Sequence, residues 1–310
     1  MRKEEAITKK LIRNIKSVKI QGAEKISIAS VSVLKELVKL NREKDNKKLF
    51  SKILDFSCKI AKVRPTEPCL KNSMQYIIKK NENLLNIEHH KFVENILKSC
   101  DYVENHFKES KKKINEFVYR KIPEGSIIFT HCHSSTVVDA LIYAFKRGKY
   151  FEVHNTETRP LYQGRITATE LSKAGIKVTH FVDAAARLAL KKVDIMFIGS
   201  DSITSEGKVI NKIGSEMFAE VAHNYDVPVY SCTDSWKFDI NSVFAFESKI
   251  EKRFAEEVWP NKPKNVRISN FAFEKVNPEN ITGIISELGI IRPTIFLEEF
   301  RRNYPIFYKK

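Results

Sequence analysis

The stretch SIIFTHCHSS, residues 126–135, marks the point at which the pattern of the chain changes. Its first half is a short β-branched and aromatic run, and its second half carries a thiol and two imidazoles before a helical pattern begins. From here on, apolar runs alternate with helical segments, which predicts a mainly parallel sheet covered by helices on both faces. The predicted strands are 126–130, 150–155, 177–182, 194–199 and 227–231. The predicted helices are 136–147, 167–174, 184–191 and 214–224.

The chain before this stretch has a different pattern. In Ala29–Val38, apolar residues recur at spacings of three and four, as they do on one face of a helix. We therefore expect an α/β protein with a helical domain over residues 1–115 and a Rossmann-like domain over residues 116–310. Near the carboxyl end, a strand is predicted around Arg267–Ser269, and Ile281–Gly289 is predicted to be rich in turns.

Composition excludes several classes of protein. The chain of 310 residues is 42% hydrophobic and 30% charged, as globular proteins are, and no apolar run is long enough to cross a bilayer. The five cysteines are scattered and include no Cys-x-x-Cys pair, which argues against a disulfide framework and a structural zinc site. Together with an amino terminus that lacks an apolar leader, this predicts a cytoplasmic protein.

The net charge of +16 has two interpretations. It indicates either an anionic partner, such as nucleic acid or a phosphate, or a lysine-rich solvated surface. The lysines are spread over the whole chain, and runs such as Lys111–Lys113 are not interleaved with aromatic residues. The pattern therefore favours the solvated surface over nucleic acid, and a small anionic substrate would be attracted in either case.

Reactive side chains follow two of the predicted strands. Ligands of open parallel sheets bind beyond the carboxyl ends of the strands, where Cys132 and Asp201 stand. A helix starting just after Cys132 would lower the pKa of its thiol and favour a thiolate, and Asp201 at a half-buried rim would keep its proton. The alternatives are a small buried filler for Cys132 and a helix N-cap or turn for Asp201. Alternation along the chain is expected to point His131 and His133 away from the side of Cys132.

Further polar groups near these strand ends are suited to holding an anion. Ser134 and Ser135 stand at the start of a predicted helix, whose free N–H groups favour a phosphate. The remaining candidates are an amide and three basic side chains: Asn211, Lys212, Lys237 and Arg64. For the lysines the alternative is a chain that snorkels around an apolar body, and for the arginine it is an ordinary surface position.

A set of short motifs occurs along the chain in a recognisable order. The motifs are THCHS (130–134), TETRP (156–160), QG (163–164), DAAAR (183–187), GSDSI (199–203) and INKIG (210–214), with GA (22–23), RPT (64–66), KF (237–238), WP (259–260) and GII (289–291). They resemble the superfamily that joins isomerases of sugar 1-phosphates to regulatory subunits of a translation-initiation guanine-nucleotide exchange factor. Within it, the chain is most similar to the archaeal ribose-1,5-bisphosphate isomerases.

The resemblance implies an activity and a set of site residues. It implies that Cys132 is the base and Asp201 the acid in converting ribose 1,5-bisphosphate to ribulose 1,5-bisphosphate, a step that links nucleoside monophosphate breakdown to a carboxylase. No cofactor and no metal are implied. The implied assembly is a homo-oligomer, either a dimer or dimers assembled as a hexamer. The implied substrate-binding residues are Gly22, Ala23, Arg64, Asn211, Lys212 and Lys237.

One motif departs from the family pattern, in which the first turn is Arg-Gly-Ala-Gly. Here the turn is Gln21-Gly22-Ala23-Glu24, so a phosphate-binding arginine is absent and a carboxylate replaces a glycine. Repulsion between Glu24 and a phosphate would lower affinity unless Lys25 compensates. Two alternatives therefore stay open: a non-catalytic regulatory subunit, and a methylthioribose-1-phosphate isomerase, against which a contact of Arg64 with a 5-phosphate would argue.

Overall fold

The structure, a computed structural model, describes residues 3–17, 19–20, 22–64, 67–246 and 250–308. It forms two compact units. The first comprises Met1–Glu109, Trp236–Phe238 and Phe300–Lys310, and the second comprises Ser110–Ser235 and Asp239–Glu299. The sequence-based boundary at residue 115 stays a prediction. Two short segments that it placed with the α/β domain, at 236–238 and from 300 onward, group instead with the amino-terminal helices.

The first unit is helical because its segments carry apolar stripes and helix-starting residues. Asp45 accepts hydrogen bonds from the backbone N–H groups of Lys47 and Lys48 at one helix start, and Pro68 occupies the first turn of another. The helices are α1 (Lys3–Lys16), α2 (Ala23–Leu40), α3 (Asn46–Ala61), α4 (Pro68–Asn81) and α5 (His89–Lys121), which passes into the second unit after Glu109.

An aromatic cluster explains why two distant segments belong to the first unit. The indole of Trp236 stacks on the ring of His106 with centroids 4.1 Å apart and meets the edge of Phe307 at 5.6 Å. The Asn72 side chain donates hydrogen bonds to the carbonyl oxygens of Trp236 and Phe238, at 2.7 and 2.8 Å. Lys237 lies between these two anchored residues, so its backbone is held by the helical unit.

The second unit is built on a seven-stranded sheet. Its order is β10-β9-β7-β4-β1-β2-β3, and every neighbouring pair is parallel except β9 with β10. The strands are β1 (Ser126–Thr130), β2 (Phe151–Thr156), β3 (Lys177–Phe181), β4 (Ile195–Ile198), β7 (Val229–Cys232), β9 (Gly283–Ser286) and β10 (Gly289–Ile291).

Helices pack against both faces of this sheet. They are α6 (Ser135–Lys146), α7 (Gln163–Lys173), α8 (Ala186–Leu190) and α9 (Ser215–Asn224). The last helix, α10 (Phe296–Asn303), begins in the second unit and ends in the part of the chain that belongs to the first. Adjacent residues of a strand point to opposite faces. Accordingly, Ile128 lies in a buried cluster with Leu141 of α6, while Phe129 packs against Phe218 of α9 with ring centroids 5.0 Å apart. The predicted α/β fold, with a helical amino-terminal region and a mainly parallel sheet, is confirmed.

Two predictions for the carboxyl-terminal part are wrong. Residues 267–269 form no strand, and the strand of this region is β8 (Phe273–Val276). The segment predicted to be rich in turns contains β9, whose residues are all buried, and leads into β10. Runs of only two isoleucines beside a glycine are too short to show alternation, so periodicity alone does not reveal such strands. A small antiparallel sheet, β5-β6-β8, also went unpredicted; β5 is Ser202–Ile203 and β6 is Val209–Lys212.

The strand order creates a switch point between β1 and β4. From β1 the chain moves outward through β2 and β3, then returns to add β4 on the other side of β1. In open sheets of this kind, the connections that leave the two central strands diverge and leave a crevice at the carboxyl ends, where ligands bind. Register pairs Phe129 of β1 with Met196 of β4, so the loops that follow the two strands start side by side.

Candidate active site

Two loops leave the switch point, and each carries one member of the predicted pair. The thiol loop, residues 131–134, joins β1 to α6 and contains Cys132. The carboxylate loop, residues 199–201, joins β4 to β5 and contains Asp201. Both side chains are half-buried. The negative charge of Asp201 contributes to raising the pKa of the Cys132 thiol, so the two groups interact electrostatically.

Gly199 shows how closely the segments approach each other. A Cβ at this position would lie 2.7 Å from both Cβ and Oγ of Ser134, and 3.9 Å from Oδ1 of Asn211. Real Cβ atoms do not come within 3.0 Å of such neighbours. The absence of a side chain at position 199 therefore lets the thiol loop, the carboxylate loop and β6 meet.

The backbone of Cys132 adopts a conformation that is rare for its residue type. Its φ is +67°, in the left-handed region that favours glycine. Its N–H donates to Oγ1 of Thr158 at 3.1 Å, and its carbonyl oxygen accepts from Oγ1 of Thr167 at 2.8 Å. A side chain held in this region costs on the order of 1–3 kcal/mol and persists only when its surroundings enforce it.

The predicted thiolate is wrong for this structure. Burial raises the pKa of the Cys132 thiol to about 12, although a hydrogen bond from the His133 backbone and the charge of Lys212 act in the opposite direction. The helix expected to lower this pKa begins at Ser135, one residue nearer to Cys132 than predicted, but its field does not outweigh the burial of the thiol. At neutral pH the thiol therefore carries its proton.

The carboxylate loop is held by backbone pairing. The N–H of Asp201 donates to the carbonyl oxygen of Ile210 at 2.8 Å, and Ser202 pairs with the same residue in the β5–β6 ladder. The hydroxyl of Ser200 donates to the carbonyl oxygen of Ser202 at 2.9 Å. Asp201 precedes a strand, so the alternative of a helix N-cap does not apply.

Strand β6 brings an amide and an ammonium group to the same place. Asn211 and Lys212 are both buried. The Asn211 amide donates to Oγ of Ser215 at 2.9 Å, and that hydroxyl donates to the Lys212 carbonyl oxygen at 2.6 Å. Lys212 forms no ion pair with any residue that the structure describes. Its charge opposes the rise in the pKa of Cys132, so the ammonium lies within electrostatic reach of the thiol.

His131 connects three strand ends. Its ring is buried, with Nδ1 2.7 Å from Oγ1 of Thr156 and Nε2 2.9 Å from the carbonyl oxygen of Ile213; that it points away from the thiol stays a prediction. A carbonyl oxygen only accepts, so Nε2 carries the proton and Nδ1 accepts from the threonine hydroxyl. Burial lowers the pKa of His131 to about 4. The neutral ring thus ties the thiol loop to the turn that follows Lys212.

The two serines differ in their surroundings. Ser134 is half-buried and caps α6, its Oγ accepting from the Val137 N–H at 3.4 Å. Ser135 is the first residue of the helix and is exposed. Of the two, only Ser134 lies against the carboxylate loop, through its contact at Gly199.

The other predicted binding residues belong to the first unit. Gly22 is exposed at the start of α2 with a φ of +87°, Ala23 is buried and Lys25 is exposed. Arg64 and Lys237 are half-buried. Of the motif residues in their neighbourhood, Gln21, Pro65 and Thr66 lie outside the described residues. The structure thus groups six predicted residues in the second unit, namely Cys132, Ser134, Ser135, Asp201, Asn211 and Lys212, and five in the first.

The motifs match a known family. The model of the initiation factor 2 subunit family matches residues 19–293, which is most of the chain. The chain belongs to this family. The predicted superfamily is therefore confirmed.

Individual relatives show which activities occur among its members. A ribose 1,5-bisphosphate isomerase of Pyrococcus furiosus is 33% identical over 306 residues, covering 96% of this chain and 94% of that protein. A methylthioribose-1-phosphate isomerase of a Thermoanaerobacter species is 32% identical, covering 90% and 86%. Among solved structures, the translation initiation factor eIF-2B of Pyrococcus horikoshii matches with a TM-score of 0.77 at 26% identity, covering 92% of this chain and 97% of that one.

The structure adds residues to the site that the sequence argument did not select. Thr158 and Thr167 hold the backbone of Cys132, and Asp183 accepts hydrogen bonds from the N–H groups of Thr158 and Arg159. Thr158 lies in the TETRP motif and Asp183 in the DAAAR motif, both at the ends of strands, and this position was the signal in the sequence that could have identified them. No sequence pattern shows which hydroxyl reaches which amide across neighbouring strands.

Among the residues that the structure describes, no helix combines the length and the apolar character that a membrane span requires.

Proposed function

We propose that this chain converts ribose 1,5-bisphosphate to ribulose 1,5-bisphosphate. The chain is an aldose–ketose isomerase of sugar phosphates, and four archaeal relatives at 31–33% identity are named ribose 1,5-bisphosphate isomerase. The observation that carries the proposal is the position of Cys132 and Asp201 at the ends of the two central strands, on either side of the switch point. Both members of an acid–base pair are thus present where a ligand of such a sheet binds.

The chemistry requires such a pair. A sugar phosphorylated at its anomeric carbon has no free aldehyde, so the ring opens only when its oxygen is protonated. In the proposed reaction, the Asp201 carboxyl gives its proton to the ring oxygen while the Cys132 thiolate takes the proton from C2. The proton taken from C2 then returns to C1, and the 2-hydroxyl gives its proton back to Asp201 as the ketone forms. Each group ends as it began, so no other reactant is consumed.

In the proposed mechanism, Cys132 and Asp201 together hold one proton before the substrate binds. Burial keeps that proton on the Cys132 sulfur in the absence of substrate. Transfer of this proton to Asp201 would produce the thiolate base and the carboxylic acid in one step, without any proton from solvent. The charge of Asp201 contributes to the raised pKa of the thiol, so protonation of Asp201 would remove that contribution and favour the thiolate.

Lys212 is suited to the charge that develops during the reaction. Loss of the C2 proton as the ring opens leaves an enol, and negative charge develops on its oxygen as the 2-hydroxyl gives up its proton; a buried ammonium stabilises such a charge more strongly than a solvated one. Lys212 is buried and its charge is not consumed by an ion pair with a described residue. We propose that Lys212 and Asn211 bind the reacting end of the sugar, with Ser134 and Ser135 near its 1-phosphate.

The remaining binding residues rest on the resemblance. We propose that Arg64, Lys237, Lys25 and the Gly22-Ala23 turn bind the second phosphate. A 5-phosphate is what distinguishes the bisphosphate from methylthioribose 1-phosphate, so these residues determine which sugar is accepted. We also propose that the protein is a cytoplasmic homo-oligomer.

One observation favours a second candidate. Glu24 places a carboxylate where the family pattern has a glycine, which opposes the binding of a phosphate. A non-catalytic regulatory subunit related to translation initiation would tolerate that change. The reactive pair on the two adjacent loops favours the enzyme.

Activity with purified sugars tests the proposal. We expect turnover of ribose 1,5-bisphosphate, read by coupling its product to a ribulose-bisphosphate carboxylase, at a kcat/KM at least 100-fold above that for methylthioribose 1-phosphate. Higher activity on the thioether sugar would identify that substrate instead. No turnover of either sugar by well-folded protein would support the regulatory subunit.

A further inference from the structure

Two adjacent strand ends share an unusual backbone conformation. Thr158, just past β2, has a φ of +63°, and Cys132, just past β1, has a φ of +67°. Neither residue is a glycine, and a β-branched threonine is especially disfavoured there. The two are joined directly, since the Cys132 N–H donates to Oγ1 of Thr158 at 3.1 Å. A strained conformation of this kind indicates a functional constraint when its neighbours enforce it.

The enforcing group comes from the third strand. Asp183, after the end of β3, accepts from the Thr158 N–H through Oδ1 at 2.9 Å and from the Arg159 N–H through Oδ2 at 2.7 Å. The N–H of Glu157 also donates to the carbonyl oxygen of Phe181 at 2.9 Å. Both oxygens of one carboxylate are thus used to hold one turn. The hydrogen bonds run sideways from β3 to β2, and from β2 to β1.

These hydrogen bonds, between Asp183 and Thr158 and between Thr158 and the backbone of Cys132, form a relay that ends at the residue carrying the thiol. Thr158 is buried and donates its own hydroxyl hydrogen to the Thr156 carbonyl oxygen at 3.4 Å, which leaves its oxygen lone pairs for the Cys132 N–H. The charge of Asp183 also contributes to the raised pKa of Cys132. The other charged groups that act on this thiol are Lys212 and Asp201.

We propose that Thr158 is a positioning residue for Cys132 and that Asp183 holds Thr158 in place for this task. The Thr158 hydroxyl keeps Cys132 in the left-handed conformation and so aims its thiol into the crevice at the switch point. The importance of this orientation for turnover rests on the proposed isomerase function. The orientation itself is a property of the folded chain, and the alkylation rate of Cys132 reports on it without any sugar substrate.

Substitution of Thr158 tests the positioning. Thr158→Val keeps the shape but removes the hydroxyl, and Thr158→Ser keeps the hydroxyl. Thr169→Val is the matched control, since Thr169 bonds a backbone carbonyl in α7, away from the thiol loop. The readouts are the iodoacetamide alkylation rate of Cys132 at pH 8, followed by mass spectrometry, the kinetics with ribose 1,5-bisphosphate, and the thermal midpoint.

We expect Thr158→Val to alkylate at least 10-fold faster, because its released thiol is less buried and more of it is ionised. We also expect its kcat to fall at least 10-fold with KM changed less than threefold. Thr158→Ser should stay within threefold of the natural protein in both alkylation rate and kcat. Thr169→Val should match the natural protein. Equal alkylation rates in Thr158→Val and the natural protein, or failure of serine to restore the slow rate, would overturn the proposal.

Asp183→Asn provides an independent arm, also usable if Thr158→Val does not fold. The amide accepts only one of the two hydrogen bonds, so Thr158 is held less firmly and Cys132 should alkylate at least threefold faster at pH 8 than in the natural protein. An unchanged alkylation rate would contradict the relay. If the natural protein turns over no sugar while alkylation behaves as expected, the proposed function fails and the positioning stands.

Discussion

The thiol loop and the carboxylate loop leave neighbouring strands of one sheet, yet different bonds hold them. In the thiol loop, side chains from other strands and helices hold the backbone: Thr158 and Thr167 bond both sides of Cys132. In the carboxylate loop, backbone pairing with β6 holds Asp201, through the carbonyl oxygen of Ile210. The first arrangement enforces a strained conformation, and the second continues an ordinary antiparallel ladder.

This difference determines where each loop is sensitive to substitution. A loop held by side chains is disturbed by single changes on neighbouring elements, whereas a loop held by backbone pairing tolerates them. Substitutions on other elements can therefore disturb the left-handed backbone of Cys132. The carboxylate loop is sensitive mainly to changes of Asp201 itself and of Gly199, where there is no room for a side chain.

The largest effect is expected from removing the reactive groups themselves. Cys132→Ser and Asp201→Asn should each lower kcat at least 10³-fold, because each proton transfer loses its acid or base. Thermal unfolding should stay close to that of the natural protein. Cys58→Ser and Asp55→Asn, at exposed positions of α3, are the matched controls. Full activity in either site variant would remove that group from the proposed mechanism.

Acid should weaken the thiol loop through His131. Its folded pKa of about 4 lies below the ordinary histidine pKa of 6.5, so between these two values the unfolded chain binds a proton that the folded chain does not bind. The stabilisation is complete above pH 6.5 and is lost as pH falls toward 4, by up to about 3 kcal/mol. His131→Gln, which keeps a donor for the Ile213 carbonyl, does not titrate and is the control.

Urea unfolding at pH 7 and pH 4 measures this loss. The natural protein should lose more of its free energy of unfolding than His131→Gln between these two conditions. Equal losses in the two proteins would show that the imidazole is not held neutral by burial.

The activity should also depend on the buried ammonium group of Lys212 in β6. Lys212→Met is expected to lower kcat/KM about 100-fold, the usual consequence of removing one group that stabilises an oxyanion. The thermal midpoint should not fall, since a buried ammonium is replaced by an apolar chain of similar length. Lys208→Met, on the same hairpin, is the control. A loss of stability without loss of kcat/KM would assign Lys212 a structural role.

The smallest effect is expected where the two loops touch. Gly199→Ala should lower the free energy of unfolding by about 1–3 kcal/mol, because its methyl group would overlap Ser134. Adding Ser134→Gly removes the atoms it meets, so the double variant should lose less than the sum of the two single losses. Additive losses in this double-mutant cycle would show that the loops do not press on each other.

Several elements of the fold could be predicted because they carry strong local patterns. Strand 126–130 matches β1 in both bounds, and the other four predicted strands differ from the structure by one or two residues at one or both ends. β9 and the small sheet escaped prediction because short strands, buried or flanked by glycine, have no distinctive period. The segments 236–238 and 300–308 could not be assigned to the helical unit, because only the stacking around Trp236 places them there.

The same division holds for the candidate site. The order of residues along the chain determined that a thiol and a carboxylate follow two predicted strands, since that is a property of local sequence. Tertiary structure alone decided the protonation of Cys132, its left-handed backbone conformation, the place of Asn211 and Lys212 in β6, and the partners of His131. These depend on burial and on hydrogen bonds between strands that are far apart in sequence, and burial reversed the ionisation that local reasoning had indicated for the thiol.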